Sequence, residues 1–246
     1  MMSKAYKIEA FDSLVSTNDK MKTMANNQKL DDGTVILAYE QTSGKGQRGR
    51  QWISEKGQNL LFSLFYRPDN MKAVDQFRLT QVISISVCSV IIRHIPKKEF
   101  KLSIKWPNDI YVNDRKLGGI LIENAILGQN IQHSIIGVGI NINQINFPKY
   151  LPNPASLFNL TGIKQDINKI LMEILDEFYI ISKKDQKSLV ETYTKNLYCL
   201  NEQRDFMLKG KKSKAKIKGV DNMGRLVLET DHETGCYNHE SVDFLL

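Results

Sequence analysis

Cysteine is scarce in this 246-residue chain: Cys88, Cys199 and Cys236 are odd in number and far apart. That spacing excludes a disulfide framework and a metal knuckle, and fits reduced thiols in a cytosolic protein. Long apolar runs are lacking too. None approaches the length of a membrane span, and the start, "MMSKAYKIEAFDS", has no apolar segment of the kind a secretory signal needs. The expectation is a cytoplasmic protein with no membrane association. Internal repeats and low-complexity tracts are also missing, which excludes solenoids and arrays.

What is present suits a globular chain, with 41% hydrophobic and 25% charged residues. The length allows one large domain plus a small one. The net charge is +7, from 34 basic against 27 acidic residues. Nucleic acid, an anionic small substrate or an acidic protein partner would each suit that balance. The basic residues gather at Gly44–Arg50, Lys97–Lys105 and Lys209–Lys218. The last two clusters read as solvated surface, because "KGKKSKAKIKG" has no interleaved aromatics on which bases could stack. A basic nucleic-acid-binding module is therefore an outlying alternative.

Ser16 to Asn18 read as the entry to a helix. "TVILAYE" (34–40) and "NLLFSLFY" (59–66) read as strands, and the apolar stretch between Met71 and Ile95 as a buried helix. "LSIKW", "DIYVN", "KLGGILIENAIL" and "IQHSIIGVGININ" follow as short strands with turn signals between them, so a mixed or antiparallel sheet is expected. "DINKILMEILDEFYIIS" carries a helical apolar stripe, and "QKSLVETYTKNLY" reads as a further helix. After about Leu200 the helical period vanishes and turns recur, which predicts a small unit of four or five strands. The boundary is placed between Tyr198 and Gln203, giving domains 1–199 and 200–246.

Two segments carry chemistry. "TSGKGQRGRQW" (42–52) contains Gly44-x-Gly46-x-x-Gly49, which taken literally is a dinucleotide-binding fingerprint. Context excludes it: nine residues separate Gly49 from the next strand, too few for a crossover helix. No Walker lysine follows at the required spacing either. What remains is a glycine-bearing loop that allows close backbone approach, charged by Lys45, Arg48 and Arg50. A solvated basic loop is the plain alternative.

The second segment is "SIKWPNDIYVNDRKLGGILIE" (103–123). Trp106-Pro107-Asn108-Asp109 puts an aromatic, a rigid turn, an amide and a carboxylate side by side. Structurally that is a turn with solvated lysines. Chemically, the Asn108 amide suits a purine edge with Trp106 packed there. Lys116, entering a strand beside Gly118-Gly119, is a fixed cation suited to charge on a transferring phosphoryl group.

Together, "GKGQRGRQW" and "KWPNDIYVNDRKLGGIL" closely resemble the biotin–protein ligase family, in which a GRGRxGR loop and a KWPND turn with a downstream lysine mark the active site. "DSLVSTND", "AYEQTSG" and "GVGININ" extend the likeness. The fold it implies is α+β. A class II synthetase-like catalytic domain, with a mixed, largely antiparallel sheet flanked by helices, is followed by a small SH3-like β-barrel. The implied reaction joins biotin to ATP and passes the biotinyl group to one lysine of a biotin carboxyl carrier domain. ATP and biotin are the substrates and Mg²⁺ the accompanying ion.

By position, the resemblance assigns Ser16, Thr17, Asn18 and Gln41 to the ureido ring of biotin. Lys45, Gly46, Gln47, Gly119 and Gly137 border the biotin. Arg48, Gly49, Arg50, Trp52, Asn108 and Asn141 fall to the adenylate, and Asp109 to Mg²⁺. Lys116 and Arg50 neutralise charge at the α-phosphorus, with Lys116 also reaching the biotin carboxylate. Lys45 and Gln47 stand where arginines are frequent in the family, which implies looser retention of the adenylate. The pattern begins at Asp12 with no helix-turn-helix before it, as in short, enzyme-only members without a DNA-binding domain. Family likeness also implies a homodimer through the central sheet. The nearest rival is a lipoate or octanoate ligase or transferase of the same fold. The polar Ser-Thr-Asn and Gln41 set favours a ureido ring over an alkyl chain.

Overall fold

A computed structural model of the chain describes residues 5–96 and 99–245. Lys97 and Lys98, at the head of the second basic cluster, lie outside the described residues. In chain order, Lys7–Phe11 (β1), Thr17–Asn27 (α1) and Thr34–Ala38 (β2) lead to two short strands, Gly44–Lys45 (β3) and Gln51–Trp52 (β4). Asn59–Tyr66 (β5) and Phe77–Ile91 (α2) follow. Then come four sheet strands: Leu102–Lys105 (β6), Asp109–Val112 (β7), Arg115–Leu127 (β8) and Asn130–Asn141 (β9). Leu157–Thr161 (α3), Ile167–Ser182 (α4) and Gln186–Lys195 (α5) precede five more strands. Those are Gln203–Leu208 (β10), Lys211–Val220 (β11), Leu226–Glu229 (β12), Thr234–Tyr237 (β13) and Val242–Phe244 (β14).

The helix entries follow local chemistry. Ser16 caps α1 by accepting from the Asp19 amide, Asp166 caps α4 and Asp185 caps α5, each satisfying amides that the first turn leaves unpaired. The long helix expected between Met71 and Ile95 is shorter. Ala73–Asp75 form a 3-10 turn, tied to the β8–β9 hairpin through Ala73 N–H to Gln129 C=O at 2.8 Å, so the α-helix starts only at Phe77. The strand expected over 34–40 stops at Ala38, where the chain turns toward the glycine loop.

Seven strands form the main sheet in the order β1-β2-β5-β9-β8-β7-β6. Only the β1–β2 pair is parallel, so the sheet is mixed and largely antiparallel. Strand alternation sorts the side chains onto two faces. Leu60, Phe62 and Leu64 of β5, with Ile136, Val138 and Ile140 of β9, join one buried cluster with α2 and α4 residues such as Ile83, Val87, Ile174 and Phe178. Ile36, Phe65 and Ile135 point the other way and pack with Met21 of α1. Helices therefore flank both faces.

The last five strands form a second sheet, β13-β12-β11-β10-β14. Its buried side chains, among them Phe206, Ile217 and Leu228, belong to the same continuous core as α2 and α4. One close approach fixes its position. Gly224, at φ 80°, sits where any side chain would meet the Phe77 ring, a Cβ there lying 2.1 Å from that ring. Among the described residues no helix is long and apolar enough to cross a membrane.

Candidate active site

The face of the sheet toward α1 explains the site. Paired residues share a face, so the register lays down cross-strand rows. Phe65, Ile135 and Glu123 form one row, Ser63, Gly137 and Leu121 the next, then Leu61, Gly139, Gly119 and Asp109, and finally Asn59 with Asn141. Away from the apolar end these rows are mostly glycine or small polar residues. A sheet face without bulk leaves room above it, and other parts of the chain fill part of that room. A Cβ at Gly137 would lie 2.2 Å from Asn18 Oδ1, and one at Gly139 would lie 2.6 Å from the Trp52 ring. At Gly119 a Cβ would sit 3.3 Å from Trp52.

The glycine loop is not a featureless flap. Its arms β3 and β4 pair antiparallel, with Gly44 opposite Trp52, and a 3-10 turn at Gln47–Gly49 joins them. Arg48 (φ 54°) and Gly49 (φ 72°) are both left-handed, which bends the loop back over the sheet. No helix follows Gly49, in accord with the failed dinucleotide reading. Between this hairpin and the sheet lies a cavity of about 640 Å³, within the roughly 300–1,000 Å³ usual for small-molecule sites.

Ser16, Thr17, Asn18, Gln41, Lys45, Gly46, Gln47, Arg48, Arg50, Trp52, Asn108, Asp109, Lys116, Gly119, Gly137 and Asn141 all line it. Gly49 does not, because its place is the outward bend of the loop, where a Cβ would meet open space. Inside the cavity wall, Gln47 Oε1, Trp52 Nε1, Asn141 Oδ1 and Asn153 Oδ1 are buried with no hydrogen-bond partner. Buried polar atoms are rarely left unpaired, and four on one cavity point to a polar ligand.

Lys116 is held as a fixed cation should be. Its backbone is clamped on both sides, with Lys116 N–H donating to Asn153 C=O at 2.8 Å and Ala155 N–H donating to Lys116 C=O at 2.9 Å. Its Nζ lies 2.7 Å from Asp109 Oδ1 and 5.8 Å from the centre of a Trp52 ring. The lysine thus faces the loop across the cavity, and Asp109 is its counter-charge. Asn108 fastens the turn: its Nδ2 donates to Ile120 C=O at 2.6 Å, and Ile120 N–H donates back to Asn108 C=O at 3.1 Å. Trp106 Nε1 donates to Gly224 C=O at 2.8 Å, so the indole anchors the second sheet while lining the cavity.

Two cations of the loop reach outward. Lys45 Nζ pairs with Asp19 Oδ1 of α1 at 2.6 Å. Arg48 binds the His239 carbonyl and lies 3.3 Å from Asp243 Oδ1, both from the second sheet. Arg50 is exposed but lines the cavity, where its charge bears on Lys105, Tyr111 and His239.

Residues 10–141 match the family described as the biotin/lipoate A/B protein ligase family. This chain belongs to that family. A Bacillus subtilis protein of the family, "Bifunctional ligase/repressor BirA", is 34% identical over 167 residues, which are 67% of this chain and 50% of that protein. The chain therefore spans about half the length of that relative. "Biotin--[acetyl-CoA-carboxylase] ligase" of Mycobacterium tuberculosis is 26% identical over 224 residues, 89% of this chain and 82% of that one. Among solved structures, "Biotin protein ligase from Aquifex aeolicus in complex with biotin and ATP" superposes with a TM-score of 0.80 at 25% identity, covering 96% of this chain and 97% of that one.

In this biotin/lipoate ligase family member, sequence reasoning missed Lys105 as a site residue and missed the second sheet's share of the wall. Lys105 reads as solvated, yet it lines the cavity with its Nζ 5.1 Å from the Tyr111 ring and 4.9 Å from the Phe244 ring. Burial holds its ammonium below the usual lysine range, with Lys116 and Arg50 adding to the effect against Asp109. His239, Val242, Asp243 and Phe244 close the same wall. No local motif marks them. Only the packing of one sheet against the other brings them there.

Proposed function

We propose that this chain is a biotin–protein ligase. It joins biotin to ATP with release of pyrophosphate, holds biotinyl-5′-adenylate, and transfers the biotinyl group to one lysine of a biotin carboxyl carrier domain. The observation that carries this is the meeting of three separate segments on one cavity: the Ser16–Asn18 helix entry, the glycine hairpin and Lys116. The names of the Bacillus, Mycobacterium and Aquifex relatives support the same reading.

In the first step an oxygen of the biotin carboxylate attacks the α-phosphorus. The bond from that phosphorus to the bridging oxygen breaks, and pyrophosphate leaves. The chain supplies position and charge and needs no nucleophile of its own. Lys116, released from Asp109, and Arg50 neutralise the oxygens of the transferring group. Lys105 adds a third cation to the same wall. Ser16 can donate to the ureido carbonyl and Asn18 can accept from a ureido N–H, with Gln41 and Thr17 behind them. Trp52 Nε1 and Asn141 Oδ1 take polar edges of the adenylate, and Gln47 Oε1 borders the biotin.

In the second step the carrier lysine, as the neutral amine, attacks the acyl carbon; the bond from that carbon to the phosphate oxygen breaks, AMP departs and the nitrogen gives up its surplus proton to solvent. The hairpin shields the mixed anhydride from water until then. Because Lys45 and Arg48 pair with Asp19 and Asp243, the loop is fastened at both its sides while Arg50 serves the ligand.

Mg²⁺ fits only in a limited way. Among the described residues no group of three or more His, Cys, Asp or Glu could cage a metal. A single carboxylate, Asp109, is sufficient for an ion that arrives on the triphosphate and keeps its waters. When bound, such an ion would neutralise phosphate charge.

We assign residues 1–199 to the catalytic domain and 200–246 to an SH3-like unit whose five strands suit that architecture. For the homodimer, β1 at the end of the main sheet's strand order is the edge for pairing through the central sheet.

A lipoate or octanoate ligase is the second reading, since the family covers both. A dithiolane ring or alkyl chain would leave Ser16, Asn18 and Gln41 facing apolar atoms, at a cost of about 1–3 kcal/mol for each polar group left unpaired. Incubation with ATP, Mg²⁺, a carrier domain and biotin, lipoate or octanoate decides between them. A mass gain of one biotinyl group on a carrier lysine, with none from the other two acids, is the expected result. A lipoyl or octanoyl gain in its place would overturn the reading.

A further inference from the structure

Asn18 is almost wholly buried, yet its side chain borders the cavity. An asparagine amide can present either its oxygen or its nitrogen, and the choice decides what it recognises. Glu123, which does not line the cavity, makes that choice here. Asn18 Nδ2 donates to Glu123 Oε2 at 2.9 Å and to the Leu121 carbonyl at 3.3 Å, which uses both of its hydrogens. The second Glu123 oxygen, Oε1, lies 3.6 Å from Lys22 Nζ, so the carboxylate is tied from the other side. On the far end of the amide, the fully buried Ser63 hydroxyl stands 2.6 Å from Asn18 Oδ1 and 2.8 Å from Thr17 Oγ1.

The directions are forced. A carboxylate only accepts, and so does an amide oxygen. Reversing the Asn18 amide would set its oxygen against Glu123 Oε2 and the Leu121 carbonyl, whereas the Ser63 hydroxyl, which can donate or accept, suits either end. In the arrangement present, Nδ2 is saturated and Oδ1 keeps one lone pair beyond the Ser63 contact. The only function Asn18 can offer a ligand is therefore acceptance of an N–H.

Gly137 completes the arrangement, since any Cβ there would overlap the amide. The register makes these neighbours: Ser63 pairs with Gly137, Gly137 with Leu121, and Glu123 lies two residues along the same face of β8.

We infer that Glu123 is a positioning residue that locks the Asn18 carboxamide with its oxygen toward the ligand, making this subsite specific for an N–H donor. The inference rests on the biotin reading above and deepens it: the ureido N–H is the group selected, and selection is exerted from a residue that never touches it.

The test is steady-state kinetics of pyrophosphate release, with Glu123→Gln as the near-isosteric variant. Glutamine offers both an acceptor and a donor to Asn18, so the carboxylate's hold on the orientation is removed and only the longer Leu121 contact still favours it. The expected result is a rise in the KM for biotin of about five- to tenfold, equivalent to one hydrogen bond, with the KM for ATP and kcat within about twofold of wild type. With biotin methylated on the ureido nitrogen as probe, the preference of the wild type for biotin over the probe should narrow in Glu123→Gln. In an Asn18→Ala background, adding Glu123→Gln should change nothing further, because the effect passes through the amide.

An unchanged biotin KM in Glu123→Gln would overturn the inference. So would additive effects in the double variant, or a parallel rise in both KM values. If the wild type itself released no pyrophosphate with biotin, the functional reading would fall and this inference with it. Release by the wild type with an insensitive Glu123→Gln would sink this inference alone.

Discussion

The two faces of the main sheet are made by the same strands and do opposite work. On the α2 and α4 side, β5 and β9 present Leu60, Phe62, Leu64, Ile136, Val138 and Ile140, all buried in one cluster. On the other side the same strands present Leu61, Ser63, Gly137 and Gly139, with Gly119 and Leu121 from β8. The first face stabilises the fold by burying apolar surface, at roughly 25 cal/mol per Å². The second face gives up that stabilisation to leave a floor for Asn18, Trp52 and a ligand. Stability and specificity are thus separated by a strand period of two.

Substitutions on the two faces should dissociate. Phe62→Ala on the packed face should cost about 3–5 kcal/mol, read as a lowered denaturation midpoint, while the folded fraction keeps its biotin KM. Lys116→Ala should do the reverse. Pyrophosphate release should fall roughly a thousandfold, as for loss of a main electrostatic contact, with the melting temperature little changed because the Lys116–Asp109 pair is partly solvated. A normal rate in that variant would count against its role.

Gly137→Ala is next in size. It adds one methyl where Asn18 Oδ1 would be 2.2 Å away. The expected loss is roughly a hundredfold in kcat/KM for biotin, or about 2.7 kcal/mol, without effect on ATP binding. Equal losses for both substrates would mean that the whole face had shifted.

Asp243→Ala removes the partner of Arg48 from the second sheet. Exposed pairs contribute about 0.2–1 kcal/mol, so the adenylate should escape only about two- to fivefold faster in the absence of carrier. No change in its release would show that the hairpin is fastened elsewhere.

The smallest effect concerns acid pH. Burial, with Arg48 and Arg50, holds His239 below the ordinary imidazole value of 6.5, against the opposing pull of Glu240 and Asp109. The unfolded chain then binds the extra proton first, so this contribution to stability is complete above pH 6.5 and is lost as pH falls through the lowered folded value. The wild type should lose more melting temperature between pH 7.5 and 5.5 than His239→Phe does. His133, also held low by burial and Arg67, keeps part of the loss in the variant. Identical pH profiles would exclude His239.

Much of this was legible in the residues. Ser16 caps α1 as its hydroxyl and position suggest, β5 spans 59–66 as its apolar run predicts, and "KWPND" with Lys116 marks the cavity wall. What was not legible depends on partners distant in sequence. "KIEAF" carries too little pattern to reveal β1, which forms by pairing with β2. The glycines at 119 and 137 could be read as clearance for a ligand. The sheet register and tertiary packing add that they also admit Trp52 and Asn18. Lys105 looks like any surface lysine until Tyr111 and Phe244 close over it. Arg48 lines the cavity as expected, but its bonds to the His239 carbonyl and Asp243 come from the second sheet and leave no trace in the local motif.

The most direct measurement is a crystal structure with a non-hydrolysable analogue of biotinyl-adenylate. The account predicts the analogue on the glycine-floored face, under the β3–β4 hairpin, with the ammonium of Lys116 moved from Asp109 to the phosphate and Asn18 Oδ1 accepting a ureido N–H. An analogue bound elsewhere, or bound there with Lys116 still on Asp109 and more than hydrogen-bond distance from the phosphate, would contradict it.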